Sequence, residues 1–134
     1  MGKKPIVIVG GEPNSIFLEI FFKSIKANSY KSPLIIVVSK KLLQKQMIEL
    51  GFSFKINDID SKFRNFSKLD NKKINLINVN YDFKKCFEKI SSKSNKYINE
   101  TFLIALKFMQ QNKFSKFING PISKKYFLKG KTLG

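Results

Sequence analysis

Pro5-Ile6-Val7-Ile8-Val9-Gly10-Gly11-Glu12-Pro13-Asn14-Ser15 decides how the rest of the chain is read. Its first half is a continuous apolar, β-branched run, the pattern of a strand buried on both faces. Gly10-Gly11-Glu12-Pro13 then breaks the ladder, because glycine permits unusual dihedrals and proline removes a donor. Asn14 or Ser15 is placed to cap a helix that runs to about Ala27. Ile16, Phe17, Ile20, Phe21 and Ile25 fall close to a 3.6-residue period and are its expected inner face.

The same unit follows again. After the loop Asn28 to Pro33, Leu34 to Val38 reads as a second buried strand. Ser39 caps a helix through about Leu50, with Leu42, Leu43, Met47 and Leu50 inward and Gly51 as its stop. The order β-α-β-α predicts a parallel sheet with right-handed crossovers. Phe52 to Ile56 alternates and reads as a third strand. Asp58 to Lys73 is polar and irregular, and Ile74 to Val79 is a fourth strand. A loop with a helical turn around Phe83 to Ile90 leads to the clearest helix, from Ser94 or Asn95 through about Gln111. Its apolar stripe is Ile98, Phe102, Ala105, Leu106 and Met109. Asn112 stops it, and Phe114 to Ile118 is the fifth strand.

The fifth strand runs into Ile118-Asn119-Gly120-Pro121-Ile122-Ser123-Lys124-Lys125. Here too a Gly-Pro break precedes a short helix, expected over Ile122 to Leu128, with Pro121 near its first turn. The fold class is therefore α/β: a parallel-type sheet with flanking helices. The alternation is cut off after this helix, so the sheet is expected to be incomplete at its C-terminus. Residues 1–134 then form the N-terminal α/β portion of something longer, or a domain completed by a partner.

Both turns follow strands and open helices, which is where open α/β sheets put their ligands. Gly10 to Ser15 offers backbone donors at a helix start, suited to a phosphate. It matches neither the dinucleotide fingerprint nor the Walker loop. Glu12 would repel a phosphate but can orient a hydroxyl or an amine; its plain alternative is to serve the helix dipole in a tight turn. The second turn offers Asn119, Ser123, Lys124 and Lys125. A lysine beside a helix start holds a phosphate or carboxylate as a point charge, and its plain alternative is a solvated basic face. Candidate substrate-binding residues are Gly11, Glu12, Pro13, Asn14, Asn119, Gly120, Pro121, Ser123 and Lys124.

Composition removes several classes. With no histidine, neither a His-based metal site nor a His general base exists in these residues. The single cysteine, Cys86, excludes an internal disulfide framework and fits a reducing cytoplasm. It lies between Lys84-Lys85 and Phe87 with no base partner in view, and reads as a plain thiol. No stretch approaches the roughly 18 apolar residues of a membrane span. The apolar run at the start is too short for a signal peptide and lacks a cleavage site; Ile6 breaks the myristoylation pattern. The net charge of +17 raises the question of a polyanion partner. Arg64 is the only arginine, and the lysines are spread along the chain with many Asn, Ile and Phe. That is the look of an AT-rich genome, whose codons favour those residues, and a nucleic-acid partner is not expected beyond weak, salt-sensitive binding.

Three stretches, in order, resemble the 4-hydroxythreonine-4-phosphate dehydrogenase family of pyridoxal phosphate biosynthesis. Ile6 to Ile16 looks like the family's opening strand and its Gly-Glu/Asp-Pro-Ala-Gly-Ile turn. Lys93 to Thr101 is similar to the helix carrying Tyr-Val-x-Glu. Phe117 to Lys124 resembles Val-Thr-Gly-Pro-Val-His-Lys. The chain covers only the first part of a typical member. The resemblance implies an isocitrate/isopropylmalate-dehydrogenase-like fold and NAD-dependent oxidation and decarboxylation of 4-phosphohydroxy-threonine. It also implies a divalent metal held by three histidines, and a homodimer with a small phosphorylated amino-acid substrate.

The departures are specific. Asn14-Ser15 replaces Ala-Gly, Asn119 replaces Thr, and Ser123 replaces His. The family's Gly-His-Thr-Glu would begin at about Gly134, and its metal histidines and most NAD contacts lie beyond. Only Gly11, Glu12, Pro13, Gly120, Pro121 and Lys124 match motif positions, as the wall of a site. No catalytic residue and no metal ligand is assigned, and the 134-residue segment alone is expected to be inactive. Two alternatives stand beside this reading: a non-enzymatic phosphoanion-binding module derived from the same fold, and a Lys-rich polyanion-binding protein.

Overall fold

Three apolar, β-branched strand segments with helices between them leave few ways to bury both faces of a sheet, and the computed structural model adopts the expected one. It describes residues 4–13, 15–82 and 92–120. The elements are β1 (Ile6–Val9), α1 (Phe17–Ala27), β2 (Leu34–Val38), α2 (Lys40–Leu50), β3 (Ile56–Ile59), a 3₁₀ turn (Phe66–Lys68), β4 (Ile74–Asn78), α3 (Ser92–Asn112) and β5 (Phe117–Asn119). The strands lie in the order β3-β4-β2-β1-β5, and each neighbouring pair is parallel. The core is made by Val7, Val9, Ile35, Val37 and Leu76 of the strands, with Phe22, Leu43, Ile98 and Phe108 from the helices over them.

Handedness sets the layers. Connections that step from β1 through β2 toward β3 put their helices on one face; steps back toward β5 put theirs on the other. Accordingly α1 packs beside α2, while α3 lies over β1 and β2. The 3₁₀ turn shares the face of α3: the Phe66 ring meets Phe108 at 5.8 Å and Phe114 at 4.8 Å.

The third strand starts where the alternating pattern was expected to end. Phe52 and Phe54 are turned into a cluster with Phe22, with ring centroids 5.4 to 6.0 Å apart. Their amides bond to the Met47 carbonyl and the Met47 sulfur rather than to a strand. Ladder pairing begins only at Ile56, opposite Ile74, so the start of the expected irregular stretch is in fact strand. The fifth strand is likewise displaced, from the expected Phe114–Ile118 to Phe117–Asn119. Phe114 is spent closing α3: its amide reaches back to the Met109 carbonyl at 2.9 Å. Lys113 takes the left-handed position with φ 57°, the geometry of a Schellman ending. The helix therefore runs one residue past Gln111. Asn112 is inside it, and its side chain donates to the Phe108 carbonyl.

Two helix faces also differ from expectation. In α1 the buried residues are Leu18, Phe21 and Phe22, whereas Ile16 and Ile20 stand 61% and 53% exposed. Leu18, Phe21, Phe22 and Ile25 are as good a 3.6-period stripe as the one expected; contact with α2 and the Phe52–Phe54 ring pair selects between them. In α3 Leu106 is 52% exposed and Phe108 is buried in its place. In α2 the prediction holds: the Ser39 hydroxyl accepts from the Leu42 amide, and Gly51 closes the end in the left-handed conformation. The helical turn expected at Phe83 to Ile90 and the short helix at Ile122 to Leu128 lie outside the described residues.

Candidate functional site

The sheet brings the two turns together. β1 and β5 are neighbours, with Val9 opposite Asn119, so Gly10 to Pro13 and Asn119-Gly120 leave the same end of the sheet side by side. The Gly120 amide donates to the Val9 carbonyl at 2.7 Å, while the Gly10 amide reaches the Val37 carbonyl on the other side at 3.5 Å. Two glycines make this possible. Gly11 has φ 73°, a conformation that costs glycine nothing. Gly120 lies so close to its neighbour that a Cβ there would overlap the Gly10 carbonyl and come within 2.9 Å of the Phe17 ring.

Of the candidate residues, Gly11, Glu12, Pro13, Asn119 and Gly120 are described, and the fold gathers all five. Asn14, Pro121, Ser123 and Lys124 lie outside the described residues. Glu12 is half-buried, and its carbonyl accepts from the Ser15 amide at 3.1 Å, closing the turn. Ser15 also acts on the helix start, its hydroxyl accepting from the Phe17 amide at 3.3 Å. Asn119 sits at the surface and donates to the Gly120 carbonyl at 3.0 Å.

Three residues at this end of the sheet were not among the candidate site residues, although Tyr97 lies in the Lys93 to Thr101 stretch that carries the family resemblance. Gln46, on α2, is 1% exposed, and its Nε2 donates to the Pro13 carbonyl at 3.2 Å. Its Oε1 is buried without a hydrogen-bond partner. Next to Met47 it looked like one more polar residue beside an apolar stripe. Tyr97, in α3, lies against Tyr81 at 4.5 Å between ring centroids, and its hydroxyl accepts from the Ser39 amide at 2.7 Å. Burial pushes this phenol far above its ordinary range; the Ser39 bond opposes the shift and Tyr81 adds to it. Tyr97 thus stays neutral and serves as a fixed hydrogen-bonding group. Lys40 pairs with Asp58 at 2.7 Å beside an open cleft of about 720 Å³, which Ser39, Lys41, Asn78, Tyr81 and Asp82 also line. That cleft lies over the ends of β2 and β4, further along the same edge from the two turns.

A family model described as pyridoxal phosphate biosynthetic protein PdxA matches residues 29–132. This chain belongs to the PdxA family. The match includes β2 to β5 and the second turn, and it begins after Gly10 to Ser15. No curated protein matches the chain by sequence. Among solved structures, a 4-hydroxythreonine-4-phosphate dehydrogenase from Burkholderia phymatum superimposes with a TM-score of 0.75 at 18% identity, over 96% of this chain and 39% of that one. A putative 4-hydroxythreonine-4-phosphate dehydrogenase from Salmonella typhimurium gives 0.78 at 16% identity, over 98% and 42%. At such identities the likeness is one of fold, and it includes β1 and the first turn. The chain spans about two fifths of the length of these PdxA-fold relatives. Among the described residues, no helix is long and apolar enough to cross a membrane.

Proposed function

We propose that this chain is the N-terminal α/β portion of a 4-hydroxythreonine-4-phosphate dehydrogenase-like oxidoreductase. In this reading Gly11, Glu12, Pro13, Asn14, Asn119, Gly120, Pro121, Ser123 and Lys124 form one wall of the site for 4-phosphohydroxy-threonine. The observation that carries it is the seating of Gly120 against Val9 and Gly10. Two turns from opposite ends of the chain become one surface at the carboxyl edge of a parallel sheet, where such folds bind ligands. Backbone donors of the first turn and Lys124 of the second suit the substrate's phosphate and carboxylate.

The wall positions substrate; it does not perform the oxidation. The described residues of this chain do not fit a divalent metal. The sequence has no histidine, and among the described residues no three His, Cys, Asp or Glu side chains gather. Neither the metal nor NAD is held by this wall. Both would be held by a complementary part of the enzyme, with a homodimer as the working assembly and the cytoplasm as its place. Alone, the 134-residue chain is inactive in this reading.

Two measurements test it. The purified chain, supplied with 4-phosphohydroxy-threonine, NAD and a divalent cation, is expected to form no NADH; turnover would overturn the claim of inactivity. The intact mass of the native gene product in source cells is expected to be more than twice 15.5 kDa, in line with the 39% and 42% coverage of the relatives. A native product near 15.5 kDa would replace this reading with that of a phosphoanion-binding module.

A further inference from the structure

Gln46 is the least expected side chain in the interior. It sits in α2 among Leu42, Leu43 and Met47, is 1% exposed, and has an amide oxygen with no hydrogen-bond partner. An apolar side chain of the same length would fill this position without that penalty. Its other end explains what the penalty is spent on: Nε2 donates to the Pro13 carbonyl, in the middle of the first turn. Pro13 has no amide hydrogen and so joins no ladder as a donor. The bond from Gln46 is therefore a tie from α2 to the turn outside the turn's own backbone. The chain on either side of Pro13 is held by the Ser15–Glu12 bond and by the Gly10–Val37 bond, the latter long at 3.5 Å.

We propose that Gln46 is the positioning residue of the substrate wall. It fixes the Pro13 carbonyl and with it the orientation of the Glu12 to Ser15 turn. This inference rests on the reading of that turn as part of the 4-phosphohydroxy-threonine site. The tie also couples the wall to α2, whose N-terminus lines the neighbouring cleft through Lys40 and Lys41.

Gln46→Met separates positioning from packing, because methionine keeps the length and loses the donor. Amide hydrogen exchange of the full chain reads the result. The Ser15 amide, which closes the turn on Glu12, is expected to exchange roughly three- to tenfold faster, the change that losing one hydrogen bond predicts. The Leu43 amide in α2 and the Ile8 amide in β1 are expected to be unchanged, and the melting temperature to stay within a few degrees of the wild type's, since relief of the unpaired Oε1 opposes the loss of the bond to the buried Pro13 carbonyl. A lowered melting temperature with all amides accelerated together, or a chain that fails to fold, would make Gln46 a plain core residue and overturn the proposal. So would an unchanged Ser15 amide. Calorimetric titration with 4-phosphohydroxy-threonine is the separate arm, in which the variant is expected to bind about tenfold more weakly than the wild type. Absence of binding by the wild type would overturn the wall reading itself, and the exchange data would still decide whether Gln46 fixes the turn.

Discussion

The Gly120 amide donates to the Val9 carbonyl at 2.7 Å, and this bond joins the first strand of the chain to the end of the last one described. Its geometry needs a residue without a side chain. Gly120→Ala would drive a methyl group into the Gly10 carbonyl and the Phe17 ring, both of them fixed in place. The expected cost is about 1–3 kcal/mol, seen as a lower denaturant midpoint with the slope unchanged. A variant as stable as the wild type would mean that the two turns can separate at no cost.

Tyr97 gives the stability a dependence on alkaline pH. In the unfolded chain the phenol ionises near its usual value of about 10. In the fold, burial holds it protonated well above that. Above pH ~10 the unfolded state therefore binds fewer protons than the native one, and stability falls as pH rises, by up to about 1.4 kcal/mol per unit. This contribution is fully present below pH ~10 and is lost above it. Tyr97→Phe should flatten the alkaline limb of a stability–pH curve. At neutral pH it should cost roughly 1–3 kcal/mol, since the buried Ser39 amide loses its acceptor.

The two faces of α1 can be told apart by truncation. Phe22 is fully buried against Phe52 and Phe54, so Phe22→Ala should destabilise by about 3–5 kcal/mol. Ile20 faces outward, and Ile20→Ala should stay within about 0.5 kcal/mol of the wild type. Thermal unfolding of both variants would show whether the stripe is Leu18-Phe21-Phe22-Ile25; equal losses would contradict it.

Asn75 is a buried polar residue near the start of β4. Its Nδ2 donates to the Leu34 and Asp70 carbonyls, and its Oδ1 accepts from Asn57. Removing it in Asn75→Ala leaves those carbonyls short of a donor beneath the sheet. A loss of roughly 1–3 kcal/mol is expected, with β2–β4 amides exchanging faster than those of β1.

The order of elements and the direction of the sheet were legible because they depend on local signals. Val7 and Val9 with Ile8, and Ile35 and Val37 with Ile36, make β1 and β2 apolar on both faces, Ser39 is a cap, and Gly51 is a stop. What was not legible was decided between distant segments. Phe52-Ser53-Phe54 alternates like a strand, but its rings answer to Phe22. Ile16 and Ile20 share a helical period with Phe17, Phe21 and Ile25, yet α2 meets the neighbouring stripe. The pairing of the two turns was readable as chemistry, since both combine glycine, proline and polar groups after a strand. That they touch is a property of strand order, and the tie from Gln46 carries no local signature. The abundant asparagine was read as codon drift, yet Asn71 holds the entry to β2 through Leu34, Tyr30 and Ser32, a contact across remote sequence.

The position of β1 between β2 and β5 also affects how the protein is made. Among the described elements β1 leaves the ribosome before the others, and β2 soon gives it one neighbour. Its other flank waits until residues 117–119 have been synthesised. At typical elongation rates that delay is on the order of ten seconds, while local strand and helix events take microseconds. For that interval a wholly apolar strand, Ile6 to Val9, has one open side. The pairing it awaits spans nearly all of the described chain, and such long-range closures are slow to form. The nascent protein is therefore most exposed to mispairing, and most open to capture by a chaperone, before Phe117 arrives.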